Sequence, residues 1–589
     1  MQIRELRVPR ATGSYADSLF VIGVADLLRR AGADRERQVI IRSEGGNYLV
    51  QLNPELDTDL LRGHSIEPGF KFLLLKGGDP RAEGADTFEY EAAKAIEARA
   101  KAATRLRTSK KAQQLAEEAG VADDLAVDPD LAGFKIYNSM RAGSDSYNQL
   151  HHSLRQMEKE LGDIVAGRLE SLYGTPGLAP PRAAAEAKLR LAASSLQFWN
   201  PIAGKGVSRP KPNGTKLDSL PDKFVDWFAE WMRFRAFDIA MLAFRTGDDF
   251  KIFVLDPADA PVSLIREVRS ELAGERMWGG LKLDIIALLT LARALVSRSP
   301  AASNSSGTRR FSFARRAPNR IIRGFSTAFF KSLGAAPATM NISFLGLPGW
   351  FPVETREQAS AWLDTLEEYR ARLRVLNEDH SDHISVLLAF RDFLSSGRLA
   401  PALDFFGQYA ALLTKQSERL IPFTERTLRR IIVSYDNEVP GLAEIVQDEG
   451  FQNVARAIRA CTIEAQWQKG QIQRGQRSDP LRIEIRYGLA QDWRRSVDRR
   501  DEFVQKLADF VSSYNAEAAR TFEKGDPPPW LISADDLSRV LALIERTDDQ
   551  SPGLVGRLLI AFGYATAWRT RTPNEPDANA IHGTETVPA

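Results

Sequence analysis

Residues 355–378, TREQASAWLDTLEEYRARLRVLNE, mark the point at which the chain changes its pattern. Apolar residues in this stretch recur at spacings of three and four, which is the period of an amphipathic helix. The same period returns in segments as far as Trp568, at about 383–396, 400–416, 424–436, 449–469, 485–523, 534–547 and 553–568. We therefore expect an all-α bundle over 354–569 and a disordered polar tail over 570–589.

The region before this point, 1–353, mixes two kinds of pattern. Ser18–Arg30 has the helical period, whereas Val39–Arg42, Tyr48–Leu52 and Lys251–Leu255 are short strand-like runs bounded by turn residues. The expected fold class is therefore α+β, with a mixed N-terminal portion followed by a C-terminal all-α helical bundle.

Longer helical patterns also occur in the N-terminal portion, and they carry two further predictions. We expect single helices over 144–173 and 281–297, the second of them buried. The aromatic residues of 222–235 fall at helical spacing, which favours a core position over a role in stacking on bases.

The composition favours one cellular compartment, and it argues against a disulfide-bonded, secreted or membrane-spanning protein. Cys461 is the only cysteine among 589 residues, which excludes intrachain disulfides and a cysteine zinc cluster and favours a reducing cytoplasm. The N-terminus lacks the apolar core of a secretory leader. Leu281–Val296 carries Lys282, Asp284 and Arg293, so we expect no membrane span.

The loop Phe198–Lys216, FWNPIAGKGVSRPKPNGTK, combines glycines, prolines and cations without an acidic residue. Prolines exclude a helix, and glycines let the backbone approach a ligand closely. The spacing does not fit a nucleotide-hydrolysing loop, since Trp199 stands where its first glycine belongs. A phosphate backbone suits such a loop, although an ordinary basic surface loop is an equal alternative. The candidate contacts are Asn200, Gly204, Lys205, Gly206, Arg209, Lys211 and Lys216.

The interval between Asp284 and Glu354 contains neither Asp nor Glu, although it is rich in arginine. Solvated surfaces usually mix charges, so an acid-free interval of this length favours a polyanionic or acidic partner. Its candidate nucleic-acid contacts are Arg309, Arg310, Arg315, Arg316, Arg320 and Arg323, interleaved with Phe311 and Phe313. Arginines also recur at helical spacing in the C-terminal bundle, where Arg429, Arg430, Arg494 and Arg495 are further candidates.

Candidate catalytic groups are few. Asp379, His380, Asp382 and His383 form the one cluster of histidines and acids, and a metal-dependent nuclease or phosphohydrolase would need further ligands at suitable spacing. The simpler interpretation is a polar helix start capped by Asp382. We expect Cys461 to be a small core residue, and we expect the protein not to be an enzyme.

The loop Asn-Pro…Gly-Lys-Gly and the run Ile483–Arg495, IEIRYGLAQDWRR, followed by Glu502-Phe503 and Tyr514-Asn515, resemble the large subunit of type I CRISPR Cascade surveillance complexes. The resemblance implies a non-catalytic protein without cofactor or metal that recognises the protospacer-adjacent motif in duplex DNA. It further implies that the C-terminal bundle is similar to the separate small subunit and lines the path of the displaced strand.

Partners follow from the same resemblance. They are the CRISPR RNA, target double-stranded DNA, the Cascade backbone and handle-binding subunits, the small subunit and the helicase–nuclease that the complex recruits. In such systems base pairing reads the sequence, while protein reads the nucleic-acid backbone and a short motif. A scaffold that binds an acidic protein through its arginines remains an alternative, as does the nuclease.

Overall fold

The computed structural model describes residues 2–31, 37–107, 127–139, 141–174, 227–246, 248–275, 277, 280–299, 317–332, 337–349, 353–415, 420–476, 483–523, 530–548 and 551–566. These residues divide between two compact units. The first comprises residues of Met1–Trp278 and Pro318–Leu347, and the second comprises residues of Gly279–Ala317 and Pro348–Gly583. The expected α+β class is confirmed, because the first unit contains the sheets and the C-terminal region is largely helical.

The first unit contains all ten described strands. They are β1 (Gln2–Pro9), β2 (Gln38–Glu44), β3 (Asn47–Asp57), β4 (Phe72–Leu74), β5 (Thr87–Glu89), β6 (Met241–Thr246), β7 (Asp249–Pro257), β8 (Asp259–Pro261), β9 (Ile322–Ser332) and β10 (Pro337–Gly346). Its helices are α1 (Tyr15–Arg30), α2 (Tyr90–Arg107), α3 (Leu131–Ser139), α4 (Arg141–Gln156), α5 (Glu158–Gly174), α6 (Trp227–Arg235), α7 (Phe237–Ala240) and α8 (Val262–Gly274).

Two antiparallel sheets organise this unit. One has the strand order β1-β3-β2-β8 and the other has the order β10-β9-β7-β6, while β4 and β5 form a separate parallel pair. Only Ala258 separates β7 from β8, so the chain passes from one sheet into the other within a single residue. The residue Ala258 also joins the sheets through hydrogen bonds, since its carbonyl accepts from the Ser43 amide and its own amide donates to the carbonyl of Ile321.

Helix α1 lies at the centre of the unit and contacts strands of both sheets. Ser14 caps it by accepting from the amide of Ala16, and most of its residues are buried. Asp26 is buried in α1 but has charged partners, with Arg235 at 3.1 Å and Arg266 at 3.2 Å. Burial alone would raise the pKa of Asp26, but these guanidinium groups outweigh it and lower the pKa. The carboxylate is therefore held ionised inside the unit.

Helix α6 packs against α1, and its aromatic residues confirm the core prediction over the described part of 222–235. Trp227, Phe228, Trp231 and Phe234 are all buried. The Trp231 indole also donates from Nε1 to the carbonyl of Pro68 at 2.7 Å, so its polar atom is satisfied inside the core.

The second unit consists of helices. They are α9 (Leu281–Ser297), α10 (Arg356–Arg374), α11 (Ser381–Ser396), α12 (Leu399–Lys415), α13 (Glu425–Val433), α14 (Leu442–Gln447), α15 (Glu449–Arg459), α16 (Ala465–Gln473), α17 (Leu489–Ser496), α18 (Arg500–Glu523), α19 (Ala534–Asp548) and α20 (Leu554–Gly563). Helix α9 matches the expected buried helix and packs against α10 and α11, so it belongs with the C-terminal helices rather than with the strands that flank it in sequence.

Several predicted elements differ from the structure in their bounds. The single helix expected over 144–173 is two helices, α4 and α5, with a turn at Met157. The helix expected over 485–523 is likewise divided into α17 and α18. The expected capping role of Asp382 is wrong, because His380 occupies the N-cap of α11 and the Asp382 carboxylate binds Lys415 Nζ at 2.9 Å.

None of the helices within the described ranges is long and apolar enough to cross a membrane.

Candidate nucleic-acid interface

Most of the predicted nucleic-acid contacts lie outside the described residues, and they stay predictions. These are Asn200, Gly204, Lys205, Gly206, Arg209, Lys211 and Lys216 in the loop 198–216, together with Arg309, Arg310, Arg315 and Arg316. The predicted tail over 570–589 also lies outside the described residues.

Two of the six candidate arginines in 309–323 lie within the described residues, and their surroundings differ. Arg320 is exposed at the end of a short 3₁₀ turn, Pro318–Arg320. Arg323 instead donates to the carboxylate of Asp256, and its guanidinium carbon lies 5.5 Å from the centre of the Phe344 ring. Arg323 is therefore part of the internal packing of the first unit as well as of its surface.

The predicted arginines of the bundle are mostly engaged inside the second unit. Arg429 pairs with Glu425 at 3.1 Å, and Arg494 pairs with Asp404 at 3.1 Å. Arg430 donates to the Ala361 carbonyl and the Thr365 hydroxyl, and burial lowers its pKa. Of the four, Arg495 has an exposed side chain. Intramolecular contacts of this kind hold a guanidinium in place and leave fewer of its N–H donors for a ligand.

A different surface of the second unit brings exposed aromatic rings beside cations. It is built on a continuous helical run in which α15 passes into α16 through a wide π-helical turn, Ala460–Glu464. Such turns are rare and occur often at functional sites. The carbonyl of Cys461 in this turn accepts from the amide of Arg486 at 2.9 Å, which fixes the segment before α17 beside the run.

This segment places Tyr487 against Lys469. The Lys469 ammonium lies 5.6 Å from the centre of the Tyr487 ring and donates to the Tyr487 hydroxyl at 3.1 Å. Trp467, two residues earlier on α16, also has an exposed side chain. Two aromatic rings and an ammonium group therefore reach solvent from this end of the run.

The other half of the run carries a second pair of the same kind. The guanidinium carbon of Arg456 on α15 lies 4.8 Å from the centre of the Trp530 ring. Arg456 is exposed, and Trp530 precedes α19. We refer to Arg456, Trp467, Lys469, Tyr487 and Trp530, which are all exposed around this helical run, as the aromatic–cation surface; Trp467 and Lys469 are two residues apart on α16 and therefore point to different sides of the helix. Trp467 is 45%, Tyr487 49% and Trp530 49% exposed, unusually high for residues that normally bury most of their ring.

Arg486, which precedes Tyr487, is held by contacts with α18. Arg486 lies 5.3 Å from the Phe510 ring centre, donates to Ser513 at 2.9 Å and pairs with Glu517 at 3.6 Å. Cys461 is fully buried, as expected for a core residue, and burial raises the pKa of its thiol to about 12. The π-helical turn is therefore held in place through Arg486, while the rings of Trp467 and Tyr487 are exposed to solvent.

The residues predicted from the sequence did not include this surface, although one of its aromatic residues carried a signal. Trp467 is flanked by Gln466 and Gln468 and lies outside the apolar positions of its helical period. An aromatic residue at a polar position of an amphipathic helix predicts an exposed ring. The contacts with Arg456 and Lys469 could not be read from spacing, because the partners are 74 and 18 residues apart in the chain (530 − 456 and 487 − 469).

The histidine–acid cluster is organised by local contacts. His383 is buried, and its Nδ1 accepts from the amide of Asn377 at 2.8 Å. The Asp382 carboxylate is held by Lys415, and this ammonium lowers the pKa of Asp382. In the part of the chain that the structure describes, no group of three or more His, Cys, Asp and Glu side chains is placed to hold a metal ion.

The aromatic–cation surface has the chemistry of a binding platform for single-stranded nucleic acid. Exposed ring faces can stack on bases of any sequence, and adjacent ammonium or guanidinium groups attract the phosphates. The cation–π contact of Arg456 with Trp530 and the hydrogen bond of Lys469 to the Tyr487 hydroxyl also restrict both side chains of each pair, which lowers the entropy lost on binding. A comparison with protein-family models finds no match for the chain, and a comparison with curated proteins finds no relative.

Proposed function

We propose that the chain is the non-catalytic large subunit of a type I CRISPR RNA-guided surveillance complex. In this role it recognises the protospacer-adjacent motif in duplex DNA, helps to unwind the duplex, stabilises the displaced strand and recruits the helicase–nuclease. The proposal begins from the sequence resemblance of the loop 198–216 and of Ile483–Arg495 to that family.

The observation that carries the proposal is the aromatic–cation surface. A displaced DNA strand has exposed bases and a regular series of phosphates, so it needs stacking and positive charge without base-specific hydrogen bonds. Trp467, Tyr487 and Trp530 supply ring faces, and Lys469 and Arg456 supply the charges beside them. The surface includes Tyr487, which lies within the same run, Ile483–Arg495, that carries the resemblance.

The proposal assigns the loop 198–216 and the arginines of 309–323 to duplex DNA or CRISPR RNA. Motif recognition belongs to Lys205 and its neighbours, whereas the helical unit holds the single strand. An RNA-guided complex of this kind meets its DNA in the cytoplasm, so the proposed role is a cytoplasmic one.

The test is the affinity of the full-length protein for a fluorescently labelled single-stranded DNA of 20 nucleotides, measured by anisotropy at several salt concentrations. Trp467→Ala combined with Tyr487→Ala should lower the affinity at least about tenfold, since each stacked base contributes roughly 1–3 kcal/mol. The salt dependence should change little, because this variant removes no charge. Lys469→Gln should instead reduce the slope of log affinity against log salt by roughly 0.7, the value for one phosphate of a single strand.

Leu388→Ala is the matched control, because it removes an exposed apolar side chain of α11, outside the aromatic–cation surface. It should bind like the unmodified protein. Equal affinity of the aromatic double variant and this control would overturn the assignment of the surface. A complex purified from the native cell should also contain a short RNA of fixed 5′ end, and a complex free of RNA would contradict membership of the RNA-guided assembly.

A further inference from the structure

A second candidate site lies entirely within the first unit. It is a cleft of about 310 Å³ between the start of α1 and strands of both sheets. Its lining includes two arginines, two aspartates and three serines. The proposal above makes no use of this cleft.

Arg10 gives the cleft a positive charge that has no ion-pair partner among the described residues. The guanidinium carbon lies 4.1 Å from the centre of the Tyr48 ring, and Nη2 donates to the Ser43 hydroxyl at 2.7 Å. Among the described residues, no carboxylate is within ion-pair distance of Arg10. Its guanidinium is therefore positioned by the ring and the hydroxyl, with charge left for a ligand.

The two carboxylates of the cleft are already occupied. Asp256 accepts from the Tyr48 hydroxyl at 2.8 Å and from the Ser18 hydroxyl at 3.4 Å, and it also binds the guanidinium of Arg323. Asp17 accepts from the backbone amides of Thr12, at 3.0 Å, and Gly13, at 2.6 Å. Asp256 is thus paired with Arg323, whereas Asp17 has neutral donors and keeps its charge, and neither carboxylate forms an ion pair with Arg10.

The Tyr48 hydroxyl remains a donor throughout the physiological range. Burial, followed by the nearby Asp256 carboxylate, raises its pKa above the ordinary value. The floor of the cleft is thus a fixed array in which Tyr48 supports Arg10 on its ring face and holds Asp256 through its hydroxyl.

The rim supplies an exposed aromatic surface. Phe344 is 48% exposed on β10 and lies beside the Arg323 guanidinium, with the neighbouring Ile342 also exposed. Strand β10 is the edge of its sheet. The Ser326 side chain, directly across from Phe344 on β9, also lines the cleft.

We infer that this cleft binds one nucleotide unit, with its phosphate at Arg10 and its base on the face of Phe344. The volume is at the lower end of the range of roughly 300–1,000 Å³ for small-ligand sites, which suits a ligand of this size. A guanidinium fixed in its plane matches the geometry of phosphate oxygens, and an exposed phenyl ring matches a base. The nucleotide can be free or can belong to a single strand.

The experiment measures binding of radiolabelled adenosine 5′-monophosphate to the full-length protein by equilibrium dialysis. Arg10→Gln removes the charge and should weaken binding at least about tenfold. Phe344→Ser changes an exposed side chain and should weaken it at least about fivefold, as expected for the loss of one stacked base. The control is Arg7→Gln, an exposed arginine three residues earlier, on β1, which does not line the cleft and should leave binding unchanged.

Three further measurements distinguish a free nucleotide from one in a single strand, and a lost binding site from a lost fold. Competition by an unlabelled hexanucleotide of DNA or of RNA identifies which single strand, if either, carries the nucleotide. Inorganic phosphate should compete far more weakly than adenosine monophosphate, and equal competition would overturn the contact with the base. Unchanged binding in both Arg10→Gln and Phe344→Ser would overturn the site. Thermal unfolding of each variant verifies its fold, and the proposal for the aromatic–cation surface is unaffected by either result.

Discussion

Gly23 of α1 and Met232 of α6 bring the backbones of two helices into direct contact. A Cβ atom at Gly23 would lie inside the van der Waals distance of the Met232 carbonyl oxygen. Close packing of this kind is possible only where one helix presents no side chain. It sets the depth at which the aromatic residues of α6 enter the core of the first unit.

Replacing Gly23 by Ala should therefore destabilise the protein. The added methyl group must displace backbone, and overpacking of this kind costs about 1–3 kcal/mol or more of the free energy of unfolding. Denaturation by urea, followed by circular dichroism, measures this change. Gly167→Ala in α5 is the matched control, because a Cβ there meets no atom within 4 Å. It should raise stability by up to about 1 kcal/mol, and a loss of stability in both variants would contradict the packing argument.

His151 should make the first unit less stable in mild acid. It is buried between Phe70 and Phe72, with ring centres 5.1 and 5.5 Å away. Burial, followed by the charge of Arg155, lowers its pKa to about 4 from the ordinary value of 6.5. The unfolded chain takes up this proton first as the pH falls, so stability is complete above about pH 6.5 and declines towards pH 4.

The size of this decline should be about 3 kcal/mol, from 1.36 kcal/mol for each pKa unit. Unfolding free energies measured by urea titration between pH 4 and pH 7.5 provide the measurement. His151→Phe should lose less stability over this range than the unmodified protein, whereas His64→Gln, at an exposed position, should keep the original profile. Identical profiles for all three proteins would show that His151 is not the group responsible.

Lys205 and Lys211 should contribute to duplex binding by the assembled complex. Changing both to Ala removes two cations from the loop 198–216 and should lower the slope of log affinity against log salt by roughly two. Electrophoretic mobility shifts with a labelled duplex, over a range of salt, measure both quantities. Lys76→Ala removes an exposed lysine elsewhere in the N-terminal unit and serves as the control. A double variant with the affinity and slope of this control would remove the loop from the duplex-binding surface.

The strongly periodic helices could be predicted from the sequence, whereas some strands could not. Strand β1 interrupts the alternation of buried and exposed residues, because its pairing with β3 shifts register between Ile3 and Glu5. Strand β9 is buried on both faces, since Phe325, Thr327 and Ala328 are all buried, so it lacks the alternation of apolar and polar residues that marks a half-buried strand. A bulge between Thr339 and Asn341 disturbs the period again.

Tertiary contacts also decided which arginines are accessible. Arg323, Arg430 and Arg494 have partners 67, 69 and 90 residues away in the chain. Spacing along a helix places a cation on a face, but it does not identify a distant carboxylate or carbonyl that meets that face. Charge patterns therefore predicted basic regions without distinguishing internal ion pairs from free cations, and they could not predict the pairs that form the aromatic–cation surface.

The π-helical turn at Ala460–Glu464 also sets the rotational phase of α16 relative to α15. If the turn relaxed into a regular α-helix, every residue after it would rotate by about 100° around the helix axis, the angle of one residue. Lys469 would then leave Tyr487, while Arg456 would keep its contact with Trp530. The orientation of the Lys469–Tyr487 pair relative to the Arg456–Trp530 pair thus depends on this one turn of backbone.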